Sequence, residues 1–241
     1  MTIKKGFYRI SYLILMTMFT TMILEASEKD LYDFSWLDSD KKIYVLQNKV
    51  YKKSGRHYLG IGSIINSSSK YQDIYGLKFS YTVYFSEGWG FRLFYNQYKG
   101  RENTAAENLK AYDNITPFTR KLDTKKGIII LWSPFYGKLN IFNKIIYVDW
   151  FFGMGGGIIE GQDNAETIVS TSSRDIFAPV SDTAIMTNTG ICLYLGQSFN
   201  LNLTYHFDLY NARDVYKENG EPGGKSLTSN KEVSLSLGMR L

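Results

Sequence analysis

Between Tyr75 and Phe85 the chain alternates without a break, with Tyr75, Leu77, Phe79, Tyr81, Val83 and Phe85 set against Gly76, Lys78, Ser80, Thr82 and Tyr84. A period of two places the two sets on opposite faces of a β-strand, so one face is apolar and uncharged along its whole length while the other is mixed. The pattern returns at Phe199, Leu201, Leu203, Tyr205, Phe207 and Leu209, set against Asn200, Asn202, Thr204, His206 and Asp208. Which face meets lipid, which meets water and which meets protein decides between a membrane barrel and a soluble one.

Eight strand candidates follow one another: Arg56–Ile65, Ile74–Ser86, Trp89–Lys99, Gly127–Ser133, Lys144–Gly156, Thr183–Gln197, Phe199–Asn211 and Lys231–Leu241. Their connections alternate in character. Ser86-Glu87-Gly88 and Gln197-Ser198 read as tight hairpin turns and Pro134–Asn143 as a moderate one. Between them lie a short polar loop, Asn66–Asp73, and three long ones, Gly100–Lys126, Ile158–Asp182 and Ala212–Asn230. Short turns at one end and long polar loops at the other are the layout of an outer-membrane barrel, and an even strand count leaves both chain ends on the periplasmic side. Pro117, Pro134, Pro179 and Pro222 all fall in the expected connections, in keeping with a residue that cannot donate to a ladder.

A strand of about eleven residues, rising about 3.4 Å per residue and tilted by about 40°, spans roughly 28 Å, the height of a barrel's apolar band. A Lys or Arg at mid-membrane on the lipid side costs about 2–4 kcal/mol, so charge is expected on the other row alone. Tyr75, Leu77, Phe79, Tyr81, Val83, Phe85, Leu201, Leu203, Tyr205, Phe207, Leu235 and Leu237 are accordingly expected to face lipid. Lys78, Arg92, Asp149, His206, Asp208, Glu232 and Arg240 are expected to form a polar network in the lumen, with Lys78, Arg92 and Arg240 pairing with Asp149, Asp208 and Glu232. The segment Ile128–Trp132 is apolar on both faces and does not assign itself. The reverse arrangement, with apolar rows inward, would be a soluble lipocalin-like barrel. Against it, the polar rows are rich in Gly, Ser and Thr, which suits a crowded interior, and Tyr75, Trp89 and Tyr205 stand at row ends, where an interfacial girdle belongs. Eight strands enclose a lumen that side chains fill, so a plugged interior is expected and not a wide pore.

The first residues read as an export signal: basic Lys4, Lys5 and Arg9, an apolar run Ile10–Leu24, then small residues at Ala26 and Ser27. The expected division is a signal peptide over 1–26, a periplasmic lead-in over 27–54 and the barrel over 55–241. Cys192 is the lone cysteine, so an exported chain of this kind draws its stability from something other than an internal disulfide. The net charge of +5 is mild and includes the signal's three cations, and no basic stripe with interleaved aromatics marks a nucleic-acid groove.

Candidate chemistry is sparse. His206 and Asp208 share one strand face, with Ser234 and Ser236 on the next strand, so a serine-hydrolase constellation can be drawn; a lumen hydrogen-bond network is the plainer reading. His57, at the start of the first strand, carries no such pattern. Gly153, Gly155, Gly156 and Gly157 miss the dinucleotide spacing, because Ile158 stands where the third glycine is needed, and read as room for large lumen neighbours such as Tyr84 or Tyr98. Glu160, Asp163 and Glu166 match no calcium loop, and Cys192 reads as a small inward filler.

The entry "KIYVLQNKVYKKSGRHYLGIG", the hairpin "YTVYFSEGWGFRLFY", the turn "SPFYGKL" with "IIYVDWFFGMGGG", and the alternating final strand resemble the small outer-membrane β-barrel domain proteins of Gram-negative bacteria. The resemblance implies an all-β fold, an eight-stranded antiparallel up-and-down transmembrane β-barrel behind a signal peptide and a short lead-in. It implies residence in the outer membrane, contact with its lipid, recognition of the last strand by the barrel-assembly machinery, and no cofactor or metal. Leu241 departs from the aromatic residue that usually ends such strands. The expected function is non-enzymatic, structural or surface-interacting through the long loops with an extracellular partner. The alternatives are a lipid-modifying outer-membrane enzyme and a soluble ligand-binding barrel.

Overall fold

The computed structural model describes residues 49–112, 116–141, 144–165, 177–214 and 223–241. The expected signal peptide and all but the end of the lead-in lie outside the described residues. Eight strands follow in order: β1 Arg56–Asn66, β2 Gln72–Tyr84, β3 Trp89–Glu102, β4 Arg120–Ile141, β5 Lys144–Asp163, β6 Ala178–Leu195, β7 Phe199–Arg213 and β8 Lys225–Arg240, with one helix, α1 Thr104–Tyr112, between β3 and β4. Each pairs antiparallel with its neighbour, and β8 returns to β1, from Tyr58 opposite Arg240 to Asn66 opposite Glu232, closing the ring. Closure gives every strand two partners, so no ladder edge is left to face a medium that cannot hydrogen-bond.

Register preserves the two-faced pattern around the ring. Ile61 stands opposite Phe79 and Leu237, all exposed, while one position along, Gly62 stands opposite the buried Lys78 and Ser236. On β3, exposed Trp89, Phe91, Leu93 and Tyr95 alternate with buried Gly90, Arg92, Phe94 and Asn96. The segment that is apolar on both faces is resolved here: Ile128, Ile130 and Trp132 point outward, whereas Ile129 and Leu131 are buried and cluster with Phe151 and Met186. The lumen therefore contains an apolar layer within its polar filling.

Several strands outrun the sequence expectation at the loop end. β4 begins at Arg120 instead of Gly127, β6 at Ala178 instead of Thr183, β8 at Lys225 instead of Lys231, and β5 continues to Asp163. The ladder continues past the apolar band, where both faces are polar and alternation no longer reports a strand. At the other end β4 runs on to Ile141, through most of the expected Pro134–Asn143 turn, so two prolines lie within strands and not in connections. Pro134 falls at a register shift between Trp132 and Phe135, a bulge that leaves it outside the ladder, and Pro179 is the second residue of β6. Pro222 lies outside the described residues. The β3–β4 connection also holds α1, whose first turn is capped by Asn103 Oδ1 accepting from Ala106 N at 3.1 Å, and whose Lys110 reaches back to Glu102 at 2.9 Å.

Glycines mark two kinds of close approach. At Gly155 and Gly157 an added Cβ would strike the β4 backbone at Ile128 and Lys126, so only glycine lets β4 and β5 pack this closely beneath Met186 and Ile129. The large neighbours here are thus not Tyr84 and Tyr98. Those two rings lie instead over Gly90 and Gly76, where a Cβ would meet Tyr84 Cδ1 at 2.9 Å and Tyr98 Cδ1 at 3.0 Å.

Candidate functional site: the filled lumen and the outer mouth

The short turns, β2–β3, β4–β5 and β6–β7, lie at one end of the ring together with the start of β1 and the end of β8. A segment preceding the first strand packs into that end. Tyr51 stacks on Tyr194 with centroids 4.7 Å apart and meets Tyr147 edge-on at 5.2 Å. Lys53 is buried and its Nζ lies 2.6 Å from Asp149 Oδ2, the same oxygen that accepts from Tyr194 OH at 2.7 Å. The Glu87 carboxylate, in the β2–β3 turn, accepts from Lys53 N at 3.1 Å and Ser54 N at 3.0 Å, which fixes the segment's backbone. The compact unit accordingly starts at Tyr51, so the last four residues of the 27–54 stretch pack with the barrel.

Higher in the lumen, Lys78 Nζ lies 3.0 Å from His206 Nε2 and donates to Ser234 Oγ at 3.2 Å. Above it, Lys125 Nζ bridges Asp208 at 2.8 Å and Glu232 at 2.5 Å, joining β4 to β7 and β8 across the interior. Tyr98 OH donates to Glu232 at 2.7 Å, and Asn230 Nδ2 reaches both Asp208 at 3.0 Å and Glu232 at 2.7 Å. These bonds satisfy carboxylates that would otherwise be costly to bury.

The structure brings Lys78, Arg92, Asp149, His206, Asp208 and Glu232 into the interior, all buried, and leaves Arg240 half-buried at the end of β8. It does not pair them as expected. The three carboxylates are taken by Lys125 and Lys53, neither of which sequence reasoning singled out. Lys125 fell in an expected loop and Lys53 in an expected lead-in; the signal that could have found Lys125 is its even spacing from Gly127, Ile129 and Leu131, which puts all four on one face. Tyr75, Leu77, Phe79, Phe85, Leu203, Tyr205, Leu235 and Leu237 are exposed on the outer wall, and Tyr81, Val83, Leu201 and Phe207 are half-exposed.

No His206–Asp208 bond is formed: the Asp208 oxygen that makes hydrogen bonds goes to Lys125 and Asn230, and His206 contacts Lys78 and, at 3.3 Å, Ser234. His57 Nδ1 lies 2.6 Å from Tyr81 OH on the outer side. Glu160 accepts from Thr124 Oγ1 at 2.6 Å and pairs with Lys126 at 2.9 Å; the hydroxyl first, then the lysine, holds its carboxyl below the usual range. Asp163 pairs with Arg213 at 2.7 Å, and Glu166 lies outside the described residues. Among the described residues no group of acidic, histidine or cysteine side chains has the arrangement of a metal site. Cys192 is a buried free thiol.

At the loop end the filling stops. A cavity of about 410 Å³ opens among the β1–β2 loop and the ends of β4, β7 and β8, floored by Asn66 and Asn230 and walled by Phe118, Arg120, Tyr210 and Arg213. Arg120 lies 5.8 Å from the rings of both Phe118 and Tyr210 and donates to Arg213 O at 2.8 Å.

Outside, an aromatic chain runs around the short-turn end: Trp89 with Trp132 at 6.1 Å, Trp132 with Phe152 at 6.0 Å, Phe152 with Trp150 at 5.8 Å and Trp150 with Phe135 at 6.3 Å. Exposed rings on the wall of a closed barrel are the girdle of a membrane interface. Among the described residues no helix is long and apolar enough to cross a membrane.

No family model matches the chain, and no curated protein matches it. Solved structures with a similar strand arrangement include Neisserial surface protein A, with 15% identity and a TM-score of 0.46 over 78% of this chain and 97% of that one. The N-terminal β-barrel domain of Pseudomonas aeruginosa OprF has 9% identity and a TM-score of 0.46, over 78% of this chain and 98% of that one. Ail, the attachment invasion locus protein of Yersinia pestis, has 13% identity and a TM-score of 0.41, over 78% and 99%. The likeness is one of fold. The chain's own geometry, a closed eight-stranded ring with an apolar exposed wall and a charged, buried interior, is that of a transmembrane barrel of the outer-membrane kind.

Proposed function

We infer that this is a non-enzymatic outer-membrane protein whose lumen is sealed and whose work is done at the outer mouth and loops, on an extracellular partner. The observation that carries the reading is the contrast along the barrel axis. Lys53 with Asp149 and Lys125 with Asp208 and Glu232 fill the interior at two levels, while an open cavity of about 410 Å³ sits at the loop end. A conducting pore needs a continuous polar path, and crossed ion pairs in an eight-stranded lumen oppose one. A soluble calyx reading finds no support in a charged interior and an apolar exterior.

The mouth joins cationic Arg120 to the rings of Phe118 and Tyr210, a surface suited to a partner that offers both an acidic group and flat apolar faces. The test pairs two measurements on the purified barrel. In a planar bilayer the wild-type monomer is expected to give no stable large conductance. Displayed on cells, Arg120→Ala with Tyr210→Ala is expected to retain the heat-dependent gel shift of a folded barrel while losing surface attachment. A stable large conductance would overturn the sealed lumen, and unchanged attachment would move the partner away from the mouth.

A further inference from the structure

The lumen's charges do not balance within the wall. Lys53 answers Asp149, and Lys125 answers Asp208 and Glu232 together. Lys78 Nζ meets His206 Nε2 and Ser234 Oγ, which stand two residues from Asp208 and Glu232 on the same inward faces of β7 and β8. Arg92 stands outside these ion pairs. It is only 6% exposed, and an arginine in a protein does not shed its charge to escape burial. Among the described residues its hydrogen bond goes from Nε to Thr82 Oγ1 at 3.0 Å, and the Phe151 ring lies under the guanidinium at 5.0 Å. Neither partner is an anion.

Beside Arg92 lies a cavity of about 20 Å³, lined also by Ser80, Thr82, Asn202 and Ser236, with no carboxylate in its wall. We propose that this cavity is a binding site for one small inorganic anion of chloride's size, which supplies the countercharge to Arg92. The volume admits a single water-sized body, which excludes sulfate, phosphate or an organic carboxylate. The lining suits an anion: a guanidinium to pair with it, and serine hydroxyls and an amide that can turn their hydrogens toward it. A neutral water in the same place would leave a buried cation uncompensated, at a cost that proteins rarely tolerate.

The full barrel, crystallised from bromide in place of chloride, tests this directly. An anomalous bromide peak in contact with the Arg92 guanidinium is expected in the wild type and its loss in Arg92→Gln. In detergent at fixed ionic strength, with gluconate as the balancing anion, the wild-type melting temperature is expected to rise by about a few degrees per tenfold increase in chloride, and Arg92→Gln to show no such slope. An ordered water without anomalous signal in the wild type overturns the proposal, as does an equal chloride slope in the variant. If Arg92→Gln does not refold, the wild-type bromide data decide alone.

Discussion

The two ends of the lumen are held by ion pairs of different origin. Toward the loop end, Lys125 belongs to a barrel strand and ties β4 to β7 and β8, so its contacts join strands that the closed ladder itself holds in place. At the short-turn end, Lys53 belongs to the segment before β1 and reaches Asp149 from outside the ladder. The first is a strut and the second a cork. Similar chemistry therefore has different consequences: a strut contributes to global stability, whereas a cork can come out by local unfolding and let water take its place.

The sharpest way to break this comparison is to remove each lysine. Lys125→Ala leaves two buried carboxylates without their cation and is expected to cost about 3–5 kcal/mol, read as a lower urea midpoint for the barrel refolded in detergent. A loss near zero would mean that the carboxylates are not coupled through Lys125. Next in size, a charge on the outer wall probes the medium itself: Leu77→Arg or Leu235→Arg is expected to cost about 2–4 kcal/mol in lipid vesicles. Little change in vesicles would argue that these rows do not meet hydrocarbon.

Lys53→Ala should cost less, about 1–3 kcal/mol, because water from the adjoining end can solvate Asp149. Combining it with Asp149→Asn should recover part of that loss, so a double-mutant cycle with no coupling would show the cork to be held by Tyr51 and Glu87 alone. The smallest effect lies above the wall, at half-exposed Glu160. Its carboxyl is held below its ordinary value in the folded chain, so its contribution is present above the unfolded value of about 4.5 and fades as pH falls through the folded one. Glu160→Gln should lower stability slightly at neutral pH and flatten the acid side of the profile, with wild type and variant converging below the folded value; an equal loss there, where the carboxyl is protonated, would point to packing instead of charge.

Much of the wall was legible from residue order. The rows at Tyr75–Phe85 and Phe199–Leu209 report strands because one face must stay free of charge, and a period of two leaves no other assignment. Legibility failed where that constraint lapses. At Arg120–Lys126, Ala178–Asp182 and Lys225–Asn230 both faces are polar, so the strands continue without a signature. At Pro134 a bulge carries the strand past a residue that ordinarily ends it. The inward charges could be named from their row, but not their partners. Lys78 and Asp208 lie on strands that are not neighbours, and which cation crosses the lumen to which carboxylate depends on the radius and stagger of the closed ring.

Local alternation alone determined that the chain makes strands with one apolar and one charged face. The period of two is a property of each strand by itself and needs no knowledge of its neighbours. Tertiary structure alone decided that Lys125 spans the acidic pair, that Lys53 corks the short-turn end, and that Arg92 is left facing a small cavity. Those contacts join residues from β1's approach, β3, β4, β5, β7 and β8, and they exist only because ring closure brings distant strands within a few ångströms of one another.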